Sequence, residues 1–424
     1  MGRALTCLLV LCALVGCAVA GLPFQRAAVP TADPTPAAAI IPPADTIEPS
    51  TLTASFSDVR GHAGYWRIAR GRDGVWWFLS PRNNTEFLNG VTTVQPALRS
   101  CDLLGTGYLS GDWDRQTDTA SLSNWAQKTA GRVMACGFKN LGAWCNTALH
   151  QCHVPMTRDL NVSRWVPEDV PLLGSLWQKA AERAIREQVV PLRENHELIG
   201  YYIDNELNWD AMPDAAESYF RITTSLIRKY DPNHLILGCR YRGWVPAEVP
   251  RAARNYTDAQ SLNYYAADGL LDSKIFSTIT QQSRQPLIIS EYSFHALDGR
   301  SGNANRSHFP GQVRSQAARA AGYRLMTQRL AQVPYVIGAD WFQWMDEPPA
   351  GRVGDGEDAN VGVVDTHDQP YQQLVEAVRQ TTPLLNTLHA GSRSNRNQLV
   401  WRTPPQGAHS PTALADTTQE LLSN

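Results

Sequence analysis

Short apolar runs alternate with longer amphipathic stretches along most of the chain after residue 86. Runs of four to six apolar residues are typical of buried strands, and the stretches 175–195 and 215–230 have the spacing of helices. The predicted strands are 87–91, 141–144, 199–203, 235–239, 261–264, 287–290 and 336–341. Continuous apolar strands that alternate with helices indicate a parallel sheet covered on both faces.

The spacing of these strands favours an α/β fold of the (β/α)8 TIM-barrel type. The first and last strands begin 249 residues apart, at Phe87 and Val336, close to the ~250 residues that such a barrel needs. The third strand is predicted between 153 and 170, where the pattern is weakest, and 371–389 is the closing helix. An open doubly wound sheet is the alternative, but no glycine-rich phosphate loop follows the first strand.

A short β-hairpin is predicted before the barrel. Two alternating apolar runs in residues 64–80 flank Asp73-Gly74, and an Asp-Gly pair accepts the positive φ angles of a tight hairpin turn.

The two ends of the chain have a different composition from the predicted barrel. Residues 1–20 combine Arg3, an apolar run and small residues, as a secretory signal does. Leu14-Val15-Gly16-Cys17 also fits a bacterial lipobox with Cys17 as the lipidated residue; ordinary cleavage after Ala20 is the alternative. We therefore predict an exported, envelope-bound or secreted protein. Its predicted parts are a signal at 1–20, a Pro/Ala/Thr-rich linker at 21–52, the barrel at 53–390 and a polar tail at 391–424.

Composition narrows the class of partner. The chain has 424 residues, and its net charge of -2 argues against a nucleic-acid surface, which needs clustered basic residues. The membrane is a predicted partner only through a lipid anchor at Cys17, and the 13 tryptophans could be core residues or platforms for sugar rings. Cys145 and Cys152 could form a disulfide, whereas their spacing is a poor match to a metal site. We expect neither a metal nor a cofactor.

Polar residues follow several of the predicted strands, where a TIM barrel carries its functional side chains. Glu206 follows the fourth strand in GYYIDNELNW, and Glu291 follows the seventh in PLIISEYSF. Two facing carboxyl groups are what glycoside hydrolysis requires, one as acid and one as nucleophile or base. The alternative is that each glutamate is a loop residue or a helix cap. We expect Asp204 to have a structural role, although it could also act on Glu206 through its charge.

Longer strings around these residues carry a family resemblance. GYYIDNELNW, PLIISEYSFHALDGR and WFQWMDEPPAGRVGDGEDANVGVVDTHDQPY are similar to the agarase-type glycoside hydrolases, family fifty, of the retaining clan A. WWFLSPRNNTEFLNGV and GFKNLGAWC resemble the first two barrel strands of that group. The resemblance spans about residues 64–390 and implies a secreted enzyme that cleaves a β-galactan such as agarose.

The resemblance also implies roles for individual residues. Glu206 would be the general acid/base, Glu291 the nucleophile, and Asn205 would hold a sugar hydroxyl beside the reacting carbon. Either Tyr264 or Tyr265 would orient Glu291, and Trp341 would form the floor of the site. Further expected substrate contacts are Trp144, His295, Gln343, Arg352 and Glu357.

Other functions stay open at this point. The group would have a histidine before Trp341, where this chain has Asp340, so the rim and the sugar it accepts could differ. The alternatives are a clan A hydrolase or transglycosylase for another β-glycan, and a non-catalytic surface protein that binds glycans.

Overall fold

The computed structural model describes residues 55–96, 119–167, 169–352, 355–393 and 401–402. The predicted signal and linker, and most of the predicted tail, lie outside these ranges, so those assignments stay predictions.

An antiparallel sheet precedes the parallel one. Its strands are β1 (Phe56–Arg60), β2 (Arg67–Gly71), β3 (Trp76–Leu79) and β4 (Thr85–Glu86), paired in that order. The sequence predicted a lone hairpin here, whereas the structure has four strands, with Gly74 at a φ of 87° between β2 and β3. Ile68 and Phe78 of this sheet, with Trp66 just before β2, form one buried cluster with Leu88 and Ile337 of the parallel strands.

The central sheet is parallel and has nine strands. They are β5 (Leu88–Val91), β6 (Asn140–Leu141), β7 (Met156–Asp159), β8 (Leu198–Tyr202), β9 (Leu235–Ile236), β10 (Arg240–Arg242), β11 (Gln260–Asn263), β13 (Leu287–Tyr292) and β16 (Val336–Trp341). Their order is β10-β11-β13-β16-β5-β6-β7-β8-β9. Every residue of β8, β13 and β16 is buried, as expected for strands covered on both faces.

The sheet curls so that its two terminal strands are consecutive segments of the chain. Only residues 237–239 separate β9 from β10. Across this break Leu237 N donates to Tyr201 O at 2.8 Å, and Arg240 N donates to Asp204 O at 3.1 Å. The fold is therefore α/β and TIM-barrel-like, and the weak third strand of the sequence pattern is β7.

Helices cover the outside of this sheet. They are α1 (Thr119–Ala135), α2 (Ser175–Val189), α3 (Ala216–Tyr230), α4 (Glu248–Ala253), α5 (Ser273–Ser283), α6 (Gln316–Ala331), α7 (Gln372–Thr381) and α8 (Leu385–Ala390). The single closing helix expected at 371–389 is divided by a 3-10 turn at Thr382–Leu384. Pro383 explains the division, because proline has no backbone N–H to continue the helix.

Two small strand pairs complete the secondary structure. β12 (Leu271–Asp272) pairs with β17 (Trp401–Arg402), and β14 (His295–Ala296) pairs with β15 (Gln312–Val313). Residues 401–402 of the predicted loose tail thus belong to a strand.

The described cysteines are free thiols. Cys136, Cys145, Cys152 and Cys239 form no disulfide, so the suggested Cys145–Cys152 bridge is absent. No helix within the described ranges is long and apolar enough to cross a lipid bilayer.

Candidate active site

The carboxyl ends of β8, β10, β11 and β13 bring together the two predicted catalytic glutamates. Glu206 lies four residues after β8, and its backbone N–H donates to Arg240 O at 2.9 Å. Asn263, at the end of β11, is paired in register with Glu291 of β13. Adjacent parallel strands end at the same edge of a sheet, which is why residues far apart in sequence meet here.

Glu206 is held by an amide. Asn263 Nδ2 donates to Glu206 Oε1 at 2.8 Å and lies 3.1 Å from Asn205 Oδ1. Ser290 Oγ donates to Asn263 Oδ1 at 2.8 Å, so the amide NH2 group is the part that faces Glu206. The Glu206 backbone has a φ of 50°, a conformation uncommon for residues other than glycine.

The environment of Glu206 favours its protonated form. Burial raises the pKa of this carboxyl above its ordinary value, and the negative charge of Glu291 raises it further. The hydrogen bond from Asn263 and the charges of Arg242 and Arg240 oppose this shift. A carboxyl group with a raised pKa suits the role of general acid.

Glu291 is held by three donors. Arg240 Nη2 and Trp144 Nε1 donate to Oε1, the second over 3.3 Å, and Tyr265 OH donates to Oε2 at 2.8 Å. Because all three groups donate, they fit an ionised carboxylate, which only accepts hydrogen bonds. The two glutamates therefore have different surroundings, one suited to an acid and the other to a carboxylate nucleophile.

Arg240 is a site residue that the sequence analysis did not select. Its guanidinium is fully buried, with its carbon 5.4 Å from the ring centre of Trp144 and 5.6 Å from that of Tyr202. A signal was available in the sequence, because Arg240 is the first charged residue after the apolar run 235–239.

Comparisons with known proteins point to agarases. No protein-family model matches the chain. A 166-residue stretch, 38% of the chain, is 37% identical to beta-agarase B of Vibrio sp. (strain JT0107). A 196-residue stretch, 44% of the chain, is 33% identical to beta-agarase A of the same organism. The chain is similar to β-agarases.

The match covers only part of these relatives. The chain spans 16% of the length of beta-agarase B and 19% of the length of beta-agarase A.

Solved structures of agarases share the fold of this agarase-like chain. The crystal structure of an agarase matches with a TM-score of 0.63 over 80% of this chain and 68% of its own, at 21% identity. An exo-β-agarase matches with a TM-score of 0.64 over 78% of this chain and 67% of its own, at 20% identity. Together with the sequence relatives, these structures confirm the predicted resemblance to agarase-type glycoside hydrolases.

The structure chooses between the two tyrosines that the sequence left open. Tyr265 donates to Glu291, as described above. Tyr264 faces the helix layer, where its OH donates to Leu270 O at 2.7 Å and accepts from Asp272 N at 2.9 Å. Both tyrosines come directly after β11, and their side chains leave the chain in different directions, so that only Tyr265 reaches the carboxylate.

Trp341 lies in the core instead of forming the floor of the site. It is fully buried, its indole N–H donates to Val361 O at 2.9 Å, and the Arg319 guanidinium lies 5.4 Å from its ring centre. A ring without an exposed face cannot stack on a sugar. Trp144, by contrast, is half-buried beside Glu291 and is the tryptophan that the structure brings to the site.

His295 and Gln343 are also buried. His295 Nε2 lies 2.9 Å from Phe309 O, and burial lowers the pKa of this histidine to about 4. Gln343 Nε2 donates to Met345 O at 2.9 Å. Both side chains therefore support the loops after β13 and β16 in this structure.

Arg352 and Glu357 form a charged cluster near the glutamates. The Arg352 guanidinium pairs with Asp355 at 2.7 Å and with Glu357, and its Nε lies 3.7 Å from Glu347 Oε1. Burial raises the pKa of Glu357, and the charge of Glu291 contributes in the same direction, which places this cluster close to the site.

Asp204 has the structural role that we expected. Its carboxylate accepts from Ser163 N and Ser163 Oγ, each at 3.0 Å, and from Tyr219 OH. It thereby joins β8 to the 3-10 helix Val162–Trp165 and to α3. Burial raises the pKa of Asp204 to about 6.

Proposed function

We propose that this chain is a retaining β-glycoside hydrolase with a (β/α)8 barrel that acts on an agarose-like β-galactan. The observation that carries the proposal is the contrast between Glu206 and Glu291 at one edge of the sheet. The similarity to proteins named beta-agarase supports the substrate class, and the agarase structures support the fold.

The first step transfers a proton and forms a bond. Glu206, protonated at rest, donates its proton to the glycosidic oxygen as that oxygen leaves the anomeric carbon. One carboxylate oxygen of Glu291 attacks the same carbon and forms a glycosyl ester. Tyr265 and Arg240 hold Glu291 in place for this attack, and in this proposal Asn205 binds a sugar hydroxyl nearby.

The second step uses the same groups with the proton moving the other way. Ester formation removes the negative charge of Glu291, and that charge is one of the causes that raise the pKa of Glu206. The pKa of Glu206 therefore falls in the intermediate, so that Glu206 can take a proton from water. As that proton is taken, the water oxygen attacks the anomeric carbon, the ester bond to Glu291 breaks, and this second inversion restores the original anomeric configuration.

A product screen tests this function. Purified protein is incubated with agarose, porphyran, other β-galactans and β-glucans, and the products are analysed by mass spectrometry. NMR of the first product gives its anomeric configuration. We expect galactan oligosaccharides with retained configuration. Cleavage of a different β-glycan would change the assigned substrate and leave the roles of the two glutamates unchanged. Binding without cleavage would favour a glycan-binding protein.

We also propose that the protein is exported and carries a lipid at Cys17. The support is the sequence Leu14-Val15-Gly16-Cys17 after an apolar run. Cys17→Ser should release the protein from the membrane fraction, and Cys12→Ser in the same apolar run is the matched control. Membrane retention of the Cys17→Ser variant would contradict the anchor.

A further inference from the structure

One aromatic side chain stands out by its exposure. Trp165 is 54% exposed, and among the tryptophans, tyrosines and phenylalanines that the structure describes it is the only one with a mostly exposed side chain. It ends the 3-10 helix Val162–Trp165, which follows β7. Leu172 and Leu176, a little further along, are also exposed. An exposed indole that follows the carboxyl end of a barrel strand is available to a ligand.

The backbone that carries Trp165 is fixed even though its ring is not packed. Val162 is fully buried, and its N–H donates to Ile203 O at 3.2 Å. Ser163 donates through both N and Oγ to Asp204, and Val166 on the other side is buried. A rigid support with an exposed ring loses little conformational freedom when a ligand binds.

This support ties Trp165 to the catalytic edge of the sheet. Ser163 is bonded directly to Asp204, Trp165 is two residues beyond Ser163, and Glu206 is two residues beyond Asp204. With at most ~3.6 Å of chain per residue, the Cα atoms of Trp165 and Glu206 lie within about 20 Å of each other. Both follow the carboxyl ends of neighbouring parallel strands, β7 and β8.

We propose that Trp165 is the platform of a separate sugar subsite, which binds a pyranose of the same polysaccharide away from the bond that is cleaved. This inference rests on the proposed function and extends it. The flat indole face offers a large apolar area to the C–H face of a pyranose, while the sugar hydroxyls stay in water. The Asp204 carboxylate then has a role in binding, because it holds this platform in place.

The test compares substrates of increasing length. Initial rates are measured for agarose oligosaccharides from the disaccharide upward, with wild type, Trp165→Ala, Trp165→Phe and the control Leu384→Ala. Leu384 is 49% exposed and also ends a 3-10 helix, so its variant removes a comparable exposed apolar group. Circular dichroism checks that each variant is folded.

We expect Trp165→Ala to raise KM about tenfold for long oligosaccharides, because the loss of one good aromatic contact weakens binding by about that factor. It should leave the KM of the shortest cleaved substrate, and kcat for all substrates, unchanged. Trp165→Phe should recover part of the loss, and Leu384→Ala should match wild type. An equal effect on short and long substrates, or none on either, would overturn the subsite.

A second measurement separates this inference from the proposed function. Electrophoresis in gels that contain agarose, porphyran or a β-glucan reports binding without turnover. If the wild-type protein cleaves galactan and Trp165→Ala behaves identically, the subsite is wrong and the function stands. If the wild-type protein cleaves nothing, the function fails, and slower migration of wild type than of Trp165→Ala would still support the subsite. Equal migration of both in every gel would overturn it.

Discussion

Arg240 and Glu291 form an ion pair inside the sheet, with side-chain exposures of 0% and 7%. The pair is enclosed by Trp144 and Tyr202, whose rings lie on the guanidinium. Arg240 Nε and Nη1 have no hydrogen-bond partner among the described residues. The Glu291 carboxylate and the aromatic rings are therefore the main groups that offset the loss of hydration of the buried guanidinium. Such a pair fixes the orientation of the Glu291 carboxylate.

Removing the arginine should therefore affect both stability and turnover. We expect Arg240→Met to lower the free energy of unfolding by about 3–5 kcal/mol, because it leaves a buried carboxylate without its partner. For the folded fraction of Arg240→Met, kcat should fall while KM changes little, because Arg240 positions Glu291 and does not contact the substrate. Urea unfolding and steady-state kinetics measure the two effects.

Two further variants make this result specific. Arg240→Lys keeps the charge and should recover part of the stability, although it lacks the planar group that stacks between the rings. Arg183→Met is the control, because Arg183 lies on α2 and its side chain is 71% exposed. If Arg240→Met kept wild-type stability and kcat, the ion pair would have no positioning role.

Replacing either glutamate should abolish most hydrolysis without unfolding the protein. We expect Glu206→Gln to lower kcat by about 10²–10⁴ and Glu291→Gln to lower it at least as far, because an amide neither gives up the required proton nor attacks the sugar. Glu187→Gln, at an exposed position of α2, is the matched control. Rates near wild type for either site variant would refute the two-carboxylate mechanism.

Added azide distinguishes the two roles. A small anion can replace the carboxylate of a truncated Glu291 and should give a glycosyl azide with inverted configuration. The same anion with a truncated Glu206 should give the retained configuration, because Glu291 still reacts first. NMR of the azide product separates the outcomes, and the reverse assignment would exchange the two roles.

Asn263 should set the alkaline limit of activity. Hydrolysis needs protonated Glu206, so kcat/KM should fall as pH rises through the pKa of this group. The Asn263 amide stabilises the charged form and lowers that pKa. Asn263→Ala should therefore move the alkaline limb to higher pH, and Ser290→Ala should do so more weakly. A pH–rate profile of kcat/KM checks this, and a shift to lower pH would contradict it.

Asp204 should make stability depend on pH. Its pKa is about 6 in the folded protein and about 3.9 in an unfolded chain. Between these values the folded state binds more protons, so the free energy of unfolding should fall as pH rises from about 4 to about 6. A difference of about two pKa units corresponds to about 3 kcal/mol.

The variant Asp204→Asn cannot titrate and should lack this component. Urea unfolding at pH 4 and pH 7 should show a decrease that is about 2 kcal/mol larger in wild type than in Asp204→Asn, because pH 4 is close to the unfolded pKa and captures only part of the difference. Asp210→Asn, at an exposed position, should behave as wild type does. Identical pH dependence in wild type and Asp204→Asn would contradict the buried, partly protonated state of Asp204.

The sequence alone was sufficient for most of the strands and for the position of the two glutamates at one edge of the sheet. Continuous apolar runs are typical of strands in a sheet that is buried on both faces. For this reason 336–341 was predicted with the same bounds as β16. Glu206 and Glu291 could be selected because each lies at or shortly after the end of an apolar run, close to the point where the strand leaves the core.

Only the tertiary structure decided which side chains meet. Arg240 pairs with a residue 51 positions away, Tyr265 reaches Glu291 where Tyr264 does not, and Trp341 is enclosed by Arg319 and the segment around Val361. A pattern along one strand gives the burial of each position. The partner of a buried group depends on strand register, on the side to which each residue points, and on loops that close over the site, and these are properties of segments distant in the sequence.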